Sequence, residues 1–176
     1  RYPLGENADL GFMVKKDNDI VIFTNTCSRL SREIFTLAHE IGHVILHLED
    51  EKPFIDDNVT INGRSTDEKE QEANYFAACL LMPANDVNRF IDLEIRDFHE
   101  KGLSAMDIVR IMSEFNVSFD MALNRLESLN VINQSRKLCL DNERIEKRVG
   151  NLLRSVGGNA KLNLPSNEIY IPYEYI

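Results

Sequence analysis

Residues 36–48 read TLAHEIGHVILHL and place three of the chain's four histidines at steps of four inside one apolar run. On an α-helix, positions i and i+4 stand one above the other on the same face. His39 and His43 can therefore converge on one point, with Glu40 beside them. This H-E-x-x-H spacing suits zinc held by two imidazoles, with the glutamate as general base. The plainer reading, satisfied core histidines, fits a lone histidine better than three. Here the run is apolar on nearly every side, and burying several imidazoles without partners is costly. The spacing predicts a helix from about Arg32 to His47 or Leu48, with Ser28 or Ser31 as N-cap. On a helical wheel Ile34, Leu37, Ile41, Val44, Ile45 and Leu48 share one side, and His39 and His43 lie roughly opposite. The expectation is a core gripping the apolar side. A cleft kept dry by Phe35 and Leu46 would then open on the histidine side.

Catalytic zinc sites usually keep three protein ligands and one open position. The missing ligand is sought on a second helix, DEKEQEANYFAACLLMP (67–83), with Ser65 or Thr66 as its cap and Pro83 as its end. Its carboxylates are Glu68, Glu70 and Glu72, and its inward face is Ala73, Phe76, Ala77, Leu80 and Leu81. Glu70 projects along the edge of that face, whereas Glu72 points roughly 100° away from its centre. Glu70 is the favoured ligand and Glu72 the alternative. Asn74, four residues after Glu70, can accept a hydrogen bond from the far nitrogen of a ligating histidine. An oxyanion needs a donor besides the metal, and His47 and Tyr75 are the candidates. A site of two histidines and a carboxylate would also accept manganese, cobalt or iron.

The remaining sequence points to an α+β, mainly helical protein. LGFMVK (10–15) and IVIFTN (20–25) read as a hairpin. Residues 49–68 read as a long loop with a brief strand at 59–61. Residues 84–100 read as helical, and 104–133 as two amphipathic helices joined near Asn116, a helix-turn-helix-like pair. A further helix is expected at 142–156, broken by Gly157-Gly158-Asn159, and an extended tail at 168–176. The division expected is a core at 1–84, a helical subdomain at 85–133 and an extension of open purpose at 134–176. With 43% hydrophobic and 28% charged residues, the 176-residue chain can build a real core. No apolar run approaches bilayer length and no signal peptide opens the sequence, so no membrane role is expected. Cys27, Cys79 and Cys139 are odd in number and form no C-x-x-C pair, which favours a reducing compartment. The net charge of −9 disfavours unassisted nucleic-acid binding. Residues 136–161, with 7 basic and 3 acidic side chains, keep a direct DNA contact open as a minor reading.

HEIGHVILH followed by EQEANYFAACLLMP resembles the ImmA/IrrE family of zinc metallopeptidases. The likeness extends to DLGFMVKKDNDIVIFTN and FNVSFDMALNRLESLNVI, about residues 8–133 in all. The resemblance implies a minimal thermolysin-like zincin core followed by a helix-turn-helix-like subdomain. It also implies Zn2+ on His39, His43 and Glu70, with Glu40 activating the water; His47 matches a histidine frequent in the family's first motif. The implied substrate is a helix-turn-helix (XRE-type) repressor, cleaved to relieve repression in a mobile-element, phage or stress-response circuit in a bacterial or phage-infected cytoplasm. The competing reading is a non-catalytic zinc module acting on a partner protein or nucleic acid. The intact Glu40 argues against that, since a structural zinc site needs no general base.

Overall fold

A computed structural model describes residues 1–6, 8, 10–16, 19–47, 55–56 and 67–173. The α+β, mainly helical class expected from sequence is the one observed. The chain divides into two compact units, residues 1–80 with 164–176, and residues 81–163. Residues 134–163 thus belong to the helical unit, and 164–173 return to the sheet-bearing one.

In the first unit, β1 (Gly11–Lys16) and β2 (Asp19–Thr24) pair antiparallel, with Gly11 opposite Thr24 and Lys16 opposite Asp19. Their aromatic and β-branched residues favour the pleated conformation, and Phe12 stacks on Phe23 across the pair with ring centroids 4.8 Å apart. β3 (Ile55–Asp56) adds to the other edge of β1, giving the order β2-β1-β3. The brief strand expected at 59–61 lies outside the described residues, as do the candidate caps Ser65 and Thr66.

The first helix, α1, spans Leu30–His47. The carbonyl of Arg29 accepts from the N–H groups of Arg32 and Glu33, so Arg29, rather than Ser28 or Ser31, stands at the N-cap. α2 spans Glu68–Leu81, and its cap is Asp67, whose Oδ1 accepts from Lys69 N–H at 2.9 Å. The burial of α1 reverses the expectation. Its covered residues are Ser31, Glu33, Thr36, Ala38, His39, Glu40, Gly42, His43 and His47, while Ile45 is 61% exposed and Leu37 and Leu46 are also exposed. A wheel groups residues by face but cannot say which face is covered. Here α1 turns its polar, histidine-bearing side to the sheet and to α2.

Residues 164–170 run back across the start of α1. Leu30 N–H donates to the Leu164 carbonyl at 2.9 Å, Asn167 N–H to Thr26 at 3.0 Å, and Tyr170 N–H to Arg1 at 2.9 Å. The Arg1 guanidinium joins Glu33 at 2.7 Å and Glu168 at 2.6 Å. Burial pushes the Glu33 carboxyl up, but hydrogen bonds from Arg1, Thr24 and Ser166 outweigh it and hold the group below its ordinary value.

The second unit is helical. The region 84–100, expected as one helical stretch, is α3 (Ala84–Glu94) and α4 (Phe98–Lys101), separated where Asp97 takes a left-handed φ of 58°. α5 (Ala105–Phe115) opens with a capping box between Ser104 and Asp107. It closes at left-handed Asn116, and α6 (Phe119–Ser128) follows, capped by Ser118. The helix expected at 142–156 is instead α7 (Gln134–Lys147), capped by Asn133, and α8 (Val149–Ser155). They break at Arg148, whose φ of 58° no helix accepts. A 3₁₀ turn at Ala160–Asn163 follows.

Several basic side chains of this unit are committed to partners. Arg125 is buried, its Nε donating to the Met82 carbonyl at 2.9 Å. Lys137 pairs with Glu127, Arg144 with Asp120 and Asp141, and Lys147 with Glu143. No helix among the described residues is long and apolar enough to cross a membrane.

Candidate metal centre

Helical spacing and a close helix approach assemble the site. His39 and His43, one turn apart on α1, bring their Nε2 atoms to 2.9 Å from each other. α2 delivers Glu70 against both: Oε2 lies 3.3 Å from His39 Nε2, and Oε1 lies 3.3 Å from His43 Nε2. All three residues are buried, and together they form a group that could hold a metal ion. The triangle fits one. Three donors bound at about 2.05 Å around a tetrahedral ion lie about 3.3 Å from one another; here the two nitrogens are 2.9 Å apart and each lies 3.3 Å from its own Glu70 oxygen.

The tautomer of His39 follows from its other nitrogen. Nδ1 lies 3.1 Å from Asn74 Oδ1. An amide oxygen only accepts, so Nδ1 carries the proton and the Nε2 lone pair of the neutral ring points at the shared centre. Glu40 is fully buried on the same face of α1. A Cβ added to Gly11 of β1 would come within 3.5 Å of Glu40 Oε1, so the carboxylate lies against a strand position that carries no side chain. The Phe35 ring lies 6.5 Å from that of His39.

Other sequence candidates fall elsewhere. His47 Nε2 donates to the Lys69 carbonyl at 3.3 Å and lies 3.5 Å from Glu72 Oε2, tying the end of α1 to the start of α2. Glu72 stands at His47 with its side chain 62% exposed, outside the His39–His43–Glu70 group. Tyr75 is 66% exposed, and Glu68 is exposed as well. Two residues that shape the site were missed by sequence reasoning. Gly11 and Gly42 carry no functional group, and only their close approach to α1 and to α2, respectively, reveals them.

Comparison with known families matches residues 3–127, well over half of the chain, to the IrrE N-terminal-like domain of the peptidase M78 family. The chain belongs to this family. It is a metallopeptidase family, and the match includes β1, β2, α1 and α2, hence every residue of the buried triangle. No curated protein matches the chain. In this M78 member the charge balance of the triangle is set by Glu70. In the metal-free protein burial pushes its carboxyl up, but hydrogen bonds and charge from the protonated forms of the His39 and His43 rings outweigh burial and hold it at about 2.

A stability prediction follows. Because the folded-state value lies below the ordinary 4.5, ionised Glu70 contributes its full share of stability above about pH 4.5. That share is lost as the pH falls through about 2. Denaturant unfolding of the metal-free protein should lose midpoint steadily across this window. Glu70→Gln should flatten the loss; an equally steep decline in that variant would assign the acid sensitivity to other groups.

Proposed function

We propose that this M78 member is a zinc-dependent, site-specific endopeptidase of the cytoplasm whose substrate is a helix-turn-helix (XRE-type) repressor. The observation that carries the hydrolytic part is a fully buried Glu40 beside two imidazoles and a carboxylate that fit one metal ion. A zinc ion bound there would polarise the scissile carbonyl and lower the pKa of its water. Glu40 accepts the proton of the attacking water and passes it to the departing amine. Asn74 fixes the His39 ring, and Glu70 supplies the negative charge that two neutral imidazoles lack. Together they keep the donor triangle in place while Glu40 works.

The repressor is proposed from the likeness to the ImmA/IrrE family. The helical unit supports a protein substrate over DNA, because Arg125 is buried and Lys137, Arg144 and Lys147 are paired with carboxylates. A DNA-reading helix needs a basic footprint.

The test incubates zinc-loaded protein with the helix-turn-helix repressor encoded beside its gene, with chelator-stripped protein in parallel. The expected result is one discrete cleavage by the loaded form, abolished by stripping and restored by zinc. Cleavage that survives stripping would overturn the metal-dependent reading. A repressor left intact while an unrelated unfolded chain is cut would overturn the proposed substrate.

A further inference from the structure

Gly42 lies between the two histidines of the triangle in sequence and faces α2. A Cβ built there would stand 3.2 Å from three atoms at once: Ala73 Cα, the Ala73 carbonyl oxygen and Phe76 Cδ1. Two of these are backbone, so the neighbour can give only by moving α2 itself. Ala73 is fully buried at the crossing. Glu70 lies one turn before it and Asn74 immediately after it on the same helix. The residue that sets the helix separation therefore faces the stretch of α2 that delivers both contacts to His39, Glu70 at 3.3 Å and Asn74 at 3.1 Å.

We propose that Gly42 is a positioning residue. By carrying no side chain at the α1–α2 crossing, it lets α2 come close enough for Glu70 to close the donor triangle and for Asn74 to hold His39. This rests on the metal reading above and adds a distance requirement to it. A glycine inside a helix is otherwise unfavourable, since alanine is the better helix former. A Gly42 without a positioning role should therefore be improved by alanine.

The experiment compares wild type, Gly42→Ala and the double variant Gly42→Ala/Phe76→Leu, which frees the one flexible contact. Each is titrated with Zn2+ alone and with Co2+ alone, following the Co2+ d–d bands as a report on coordination geometry. Fold is followed by circular dichroism of the metal-free forms. The expected result for Gly42→Ala is a folded protein whose affinity for both ions falls by about tenfold or more, with altered Co2+ bands. Part of the affinity should return in the double variant. Unchanged affinity and bands in folded Gly42→Ala would overturn the inference while leaving the metal centre standing. Failure of wild type to bind either ion would remove the metal reading itself. Loss of fold in both variants would assign the glycine to folding rather than to the triangle, and would also overturn the inference.

Discussion

Glu40→Gln should lower the turnover of the repressor by about 10²–10⁴-fold while leaving metal affinity unchanged, the range expected when a positioned general base is removed. The substitution keeps shape and exchanges one carboxylate oxygen for an amide nitrogen. It leaves His39, His43 and Glu70, whose mutual distances of 2.9 and 3.3 Å do not involve Glu40. The sharp outcome is the dissociation of two readouts. Single-turnover cleavage should collapse, while zinc titration should overlay that of the wild type. A variant that lost both would make Glu40 part of the metal's support. A variant that cut at the wild-type rate would require another base.

His43→Ala should produce the opposite pattern, loss of metal before any question of catalysis. His43 is fully buried and meets both other members of the triangle, so the variant leaves two donors where three converged. Ligand binding stabilises a fold by mass action, about 2.7 kcal/mol when free ligand is 100-fold above its dissociation constant. Wild type should gain this much in unfolding free energy on zinc addition, and His43→Ala should gain essentially nothing. A melting response retained in the variant would move the metal away from the triangle. Glu70→Gln offers an intermediate case, keeping the side chain's reach but not its charge.

The legible part of this protein is the part that local spacing determines. The i, i+4 rule brings His39 and His43 together, and the wheel of α2 separates Glu70 from Glu72 because residues two apart on a helix point about 160° from each other around the axis. The hairpin and the α5–α6 pair follow from alternation and from turn chemistry at Asn116. What escaped depends on long-range packing. The polar face of α1 is inside because the functional groups are there, a local conflict with the usual inward apolar stripe that marks working sites. The break between α7 and α8 falls on an arginine, a residue with no breaker signature, and is seen only in its backbone angle. Arg29 displaces the serine caps that propensity favours for α1, because neighbouring contacts choose where the helix begins.

The first unit is discontinuous along the chain, and this has a consequence for the order of biosynthesis. Among the described residues, those that form the metal centre lie before residue 81, whereas the backbone bonds of Leu164 and Asn167 to Leu30 and Thr26 come from beyond the helical unit. On the ribosome, the continuous stretch 81–163 has all its own contacts before residue 164 emerges, in keeping with domains folding as units during synthesis. The sheet-bearing unit must wait for a closure spanning well over a hundred residues, the kind of pairing that slows folding most. A nascent chain arrested short of residue 164 would therefore carry both histidines and Glu70 while lacking the bonds that fasten the start of α1.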